Sequence, residues 1–97
     1  MLFSFKHVLF AIFVAMRLVK EIPHSRFKIQ IHSYNAKYLV KIELGQYEQT
    51  FKINESDVSG LEEVEKMITT ELLRKSLLRF IEMREDWEDG FSKKNTK

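Results

Sequence analysis

The chain of 97 residues contains no cysteine. That excludes a disulfide framework, a thiolate zinc or iron–sulfur site and a cysteine nucleophile, while leaving the redox compartment open. Glycine is nearly as scarce. Gly45, Gly60 and Gly90 stand alone, so there is no G-x-G-x-x-G fingerprint, no P-loop and no G-x-S-x-G elbow, and no phosphate-cradling loop. His7, His24 and His32 lie in separate segments without HxxxH or HExxH spacing, which reads as surface or loop histidine rather than metal ligands. The formal charge of +2 is close to balance. Residues 1–60 lean basic, 61–91 lean acidic, and "SKKNTK" closes the chain with lysines. This alternation offers no single basic surface for nucleic acid.

A long hydrophobic run is missing as well. The opening "MLFSFKHVLFAIFVAMRLVKEIP" is uninterrupted only over "VLFAIFVAM", between Lys6-His7 and Arg17. That is short of the roughly twenty residues a transmembrane helix needs. Its length suits the apolar region of a secretory signal, but no small-x-small cleavage site follows. A helix packed on the domain is a further reading, although apolar residues all round it would want burial on every side. The favoured reading starts translation at Met16 and leaves residues 1–15 outside the folded unit. The expected location is cytoplasmic, with export or membrane anchoring through the N-terminal segment as the alternative.

What is present is the makeup of one folded domain: 44% hydrophobic and 31% charged residues, in a chain too short for two cores. The chain divides into an apolar N-terminal segment (1–22), a single α+β domain (23–92) and a disordered basic tail (93–97). In residues 27–53 apolar side chains fall at every second place: Phe27, Ile29, Ile31, then Tyr38, Val40, Ile42, Leu44, then Tyr47, Phe51, Ile53. Period two marks one face of a sheet. Turns at Asn35-Ala36 and Gly45-Gln46 set Ile31 against Val40, Ile29 against Ile42, Val40 against Phe51 and Lys28 against Glu43, with Glu43 against Glu48 as a blemish. A one-residue slip in either hairpin would scatter the apolar face. Ala36 suits a type I′ turn poorly, which suggests a longer first loop.

The fold expected is a three-stranded antiparallel β-meander, covered on one face by one or two C-terminal helices, with an extra N-terminal helix if residues 1–22 pack. "SGLE" at 59–62 reads as a capping box, Glu62 reaching back to Ser59. Leu61, Val64, Ile68 and Leu72 form a helical stripe. After Thr69-Thr70 the stripe shifts to Leu73, Leu77, Phe80, Trp87 and Phe91, which favours a break at the threonines. Gly90 is the expected helix end.

No motif carries chemistry. The reading is a non-enzymatic interaction module without a cofactor, self-associating or binding a protein partner. The expected interface is the edge of the first strand, Phe27, Ile29 and Ile31, with Trp87 and Phe91 as an adjoining patch; aromatics are enriched at interface centres. Strand three is read as guarded by Gln49, a polar residue on its inward face. Two alternatives stand beside this. One is a metal-dependent enzyme or metal-binding protein using the carboxylates of 82–89 (Glu82, Glu85, Asp89). The other is a weak nucleic-acid binder using Lys28, Lys41 and Lys52 on the outer sheet face.

Overall fold

A computed structural model describes residues 16–94. The readings of residues 1–15, as upstream sequence, helix, signal or anchor, and of tail residues 95–97 lie outside the described residues. Strands β2 (Lys28–Tyr34), β3 (Lys37–Leu44) and β4 (Tyr47–Asn54) form the expected meander. Ile29 pairs with Ile42, Ile31 with Val40 and Lys28 with Glu43. Val40 pairs with Phe51, Leu44 with Tyr47 and Glu43 with Glu48.

Both turns have two central residues. Gly45 has φ 62°, at the first position, as a type II′ turn needs. Asn35 and Ala36 have φ 54° and 61°, so the first loop is not longer, and Ala36 sits in the left-handed region despite its Cβ. The strain is held by pairing on both sides: Tyr34 opposes Lys37, and the Ala36 carbonyl accepts the Glu55 amide at 3.0 Å.

Among the described residues the sheet has four strands rather than three. β1 (Arg17–Ile22) pairs antiparallel with β2, giving the order β1-β2-β3-β4. It arises inside the segment 1–22 that the sequence reading set apart, and Pro23 follows a strand instead of introducing the first one. A bulge hides it. Val19 is the extra residue between the pairs Leu18–His32 and Lys20–Ile31, so Val19 packs on the core and Lys20 leans to the same side, 4.0 Å from Glu65. Two neighbours sharing a face destroy the period-two pattern. In the link to β2, His24 Nδ1 accepts the amides of Arg26 and Phe27 at 3.0 and 3.1 Å.

Two helices cover one sheet face, α1 (Leu61–Met67) and α2 (Thr70–Lys93). They break where the stripe shifts. Thr69 caps α2, its hydroxyl accepting the Leu72 amide at 3.0 Å. The cap of α1 sits one residue later than "SGLE" implies: Gly60 is the N-cap, and Glu63, not Glu62, binds the Ser59 amide at 3.1 Å. Nor does Gly90 end α2, because its carbonyl accepts the Lys94 amide at 3.1 Å and the helix runs to Lys93. The core joins Phe27, Ile29, Ile31, Val40 and Ile42 of the sheet side to Val64 of α1 and Phe80 of α2. This is an α+β domain, a four-stranded antiparallel sheet with helices on one face.

Candidate docking surface

β1 and β4 are the two outer strands, and they differ. β1 is bulged and carries Arg17, Lys20 and Glu21, which are devices that deter edge pairing. β4 runs eight residues without a register shift against β3. Its backbone directions follow from the hairpin: the pair flanking a two-residue turn is hydrogen-bonded, and bonded and non-bonded pairs alternate from there. Tyr47, Gln49, Phe51 and Ile53 therefore bond to β3, while Glu48, Thr50 and Lys52 point their N–H and C=O groups outward. The Glu55 amide on the Ala36 carbonyl, just beyond the pair Lys37–Asn54, fits this alternation.

On the outer face of that edge, Thr50 Oγ1 donates to Glu48 Oε2 at 2.8 Å, with Lys52 two residues on. On the inner face, Gln49 is bound into the helix layer. Its Nε2 donates to the Ser76 carbonyl at 2.8 Å, and its Oε1 accepts from Arg79 Nε at 2.9 Å. Arg79 Nη2 also reaches Ser76 Oγ at 3.3 Å, and its guanidinium carbon lies 6.0 Å from the centre of the Phe51 ring. Ser76 is fully buried and Phe51 is 36% exposed. Beside Phe51, an apolar groove is lined by Ile53, Met67, Ile68 and Leu72.

The residues expected at the interface separate into two groups. Phe27, Ile29 and Ile31 lie in the core, and their strand is paired on both sides, since β1 occupies the edge expected to be free. Trp87 and Phe91 are exposed, at 55% and 50%. Their rings meet edge to face at 5.5 Å, and Lys94 Nζ lies 5.0 Å from the centre of Phe91. Seven residues make nearly two helical turns, so Trp87 repeats the direction of Phe80. A 24-residue helix is about 36 Å long against about 27 Å for an eight-residue strand, so the core-facing stripe outruns the sheet. Trp87 lines a groove with Gln46, Tyr47, Met83 and Asp86, next to the start of β4.

The alternatives find less. Among the described residues no three His, Asp or Glu side chains gather as a metal site. Asp89 is engaged by Lys93 at 3.1 Å. On the outer face Lys28 opposes Glu43 and Lys41 opposes Thr50. That face is more apolar than the sequence reading has it, because β1 adds Leu18 opposite His32, and Met16 just before it lines a groove with Leu39 and Tyr34. Among the described residues no helix is long and apolar enough to cross a membrane. His32, on the outer face, donates its Nε2–H to Gln30 Oε1 at 3.1 Å. Burial first, then the nearby Lys41, hold its imidazole below the ordinary value, with Glu48 opposing.

Among the described residues no strand pairs with the outer side of β4, the edge to which the sequence reading gives less weight. Gln49, read from the sequence as guarding it, is occupied by Ser76 and Arg79 and faces the helices rather than a newcomer. The alternation of Glu48, Thr50 and Lys52 is the signal that points to the outward-facing positions. Comparison of the chain with protein-family models, with curated proteins and with solved structures gives no match.

Proposed function

We propose that this chain is a small non-catalytic interaction module that takes a further strand onto the free edge of β4. The supporting observation is the contrast between the two outer strands. β1 is interrupted by a bulge, whereas β4 is longer, regular and backed by a part-exposed Phe51 and an exposed Met67. An added strand gains main-chain hydrogen bonds at Glu48, Thr50 and Lys52, and Phe51 offers apolar area beside them. Trp87, which lines a groove with Tyr47 at that end of the edge, and Phe91 against its ring offer an adjoining patch.

The test is affinity purification of the full chain against Thr50→Pro and Trp87→Ser variants. Thr50→Pro removes one outward N–H that serves no bond within the sheet, so the fold tolerates it at an edge. A companion held by the wild type and by Trp87→Ser, but released by Thr50→Pro, supports strand addition. A companion indifferent to Thr50→Pro and lost with Trp87→Ser transfers the docking role to the α2 face.

A further inference from the structure

Two charges of opposite sign flank Thr50 at equal distance on the outward-bonding positions of β4. Taken singly, Lys52 would deter a neighbouring strand. Taken with Glu48 it selects one. Only registers that set one outward-facing residue against another can complete the hydrogen bonds, so an antiparallel self-pairing moves in steps of two. When Thr50 lies opposite Thr50 of the second copy, Glu48 meets Lys52 of that copy and Lys52 meets its Glu48. Both charge pairs form together by symmetry, as an isologous contact requires. On the inner face Tyr47 then opposes Ile53 of the second copy, and Gln49 opposes its Phe51. A shift of one step either way sets Thr50 against a charge and breaks both pairs.

We infer that the occupant of the β4 edge is a second copy of this chain, docked antiparallel about Thr50 to make a continuous eight-stranded sheet. This rests on the strand-addition reading above and names its partner and register. Apart from Gln49 opposite Phe51, the cross-strand pairs are of favourable kinds: opposite charges twice, threonine on threonine, and an aromatic against a β-branched residue. The same register sets the Trp87 side of one copy alongside the Met67 side of the other, because Trp87 shares a groove with Tyr47 and Met67 shares one with Ile53.

The experiment is sedimentation equilibrium of the full chain at about ten to a hundred micromolar, the range in which modest strand pairing is visible, on wild type, Glu48→Lys, Glu48→Lys/Lys52→Glu and Thr50→Pro. Glu48→Lys sets lysine against Lys52 of the second copy at two places, while within the monomer it exchanges the exposed Thr50–Glu48 hydrogen bond for an opposite-charge pair with Glu43, and the unfolding midpoint of the variant separates lost association from lost folding. The wild type is a dimer, Glu48→Lys dissociates at least about tenfold more readily, the charge swap restores the dimer, and Thr50→Pro is monomeric. A monomeric wild type across the range overturns the self-pairing. A dimer that Thr50→Pro abolishes but Glu48→Lys leaves intact overturns the register and keeps the edge. A dimer that survives Thr50→Pro overturns the edge reading together with this inference.

Discussion

Replacing Gln49 by alanine measures how α2 is fastened to the sheet. The side chain makes two hydrogen bonds to the helix, 2.8 Å to the Ser76 carbonyl and 2.9 Å from Arg79. An intramolecular hydrogen bond contributes about 0.5–1.5 kcal/mol net. The Ser76 bond is part-buried and belongs near the middle of that range. The Arg79 bond is exposed, and water recovers most of it. Ser76 keeps its hydroxyl contact with Arg79 in the variant, so no buried polar side chain is orphaned. The expected loss is about 1.5 kcal/mol, which for a domain of this size lowers Tm by roughly 6–12 °C. Gln46→Ala at the hairpin tip, where the side chain makes one exposed bond, to the hydroxyl of the half-buried Tyr47, should stay within about 0.5 kcal/mol. Urea titration of both variants with Arg79→Ala and the double variant completes a cycle, expected to return a coupling of about 0.5 kcal/mol between Gln49 and Arg79. A Gln49→Ala chain as stable as the wild type would refute the argument, because the helix would then be held by apolar contact alone.

Ala36→Gly should stabilise the fold by about 0.5–1 kcal/mol. A left-handed alanine costs about 1–2 kcal/mol, from which the greater freedom of unfolded glycine subtracts part, and a Tm unchanged or lowered would contradict the strained turn. Acidification should weaken the fold through His32. Its imidazole in the folded sheet, faced by Lys41 and Glu48, takes up a proton less readily than in the unfolded chain. As pH falls through the ordinary histidine value near 6.5, the unfolded state therefore binds the proton first and stability declines. Denaturant titrations at pH 7.5 and 5.5 should show a larger loss for the wild type than for His32→Gln, and equal losses would remove the role of His32.

The meander was legible because two physical signals agreed: alternating side chains chose the face, and two-residue turns chose the register. Neither is weakened by Ala36, since tertiary pairing carries the strained residue. β1 escaped for the opposite reason. Its bulge puts Val19 and Lys20 on one side, so "RLVKEI" shows no period at all, and its apolar forerunners drew attention to membranes and signals. The break before α2 was readable in the displaced stripe and in Thr69. The shift of the first cap from Ser59 to Gly60, and the passage of α2 through Gly90, turn on differences of about 1 kcal/mol that local propensity does not resolve. The sheet edges were the least legible. Once β1 covers β2, Phe27, Ile29 and Ile31 become core, and the same alternation that marked them now exposes Glu48, Thr50 and Lys52 as the residues facing an open edge. Trp87 and Phe91 are exposed rather than closing the end of the core, because the stripe they continue is longer than the sheet beneath it.

Residue-resolved amide hydrogen exchange of the full chain tests the open edge most directly. The amides of Gln49, Phe51 and Ile53 bond within the sheet and should be protected at every concentration. Those of Glu48, Thr50 and Lys52 should exchange freely in dilute protein and become protected together as concentration rises, in step with dimer formation. Concentration-dependent protection at Lys20 or Glu21 of β1, with Glu48, Thr50 and Lys52 exchanging freely throughout, would contradict the account.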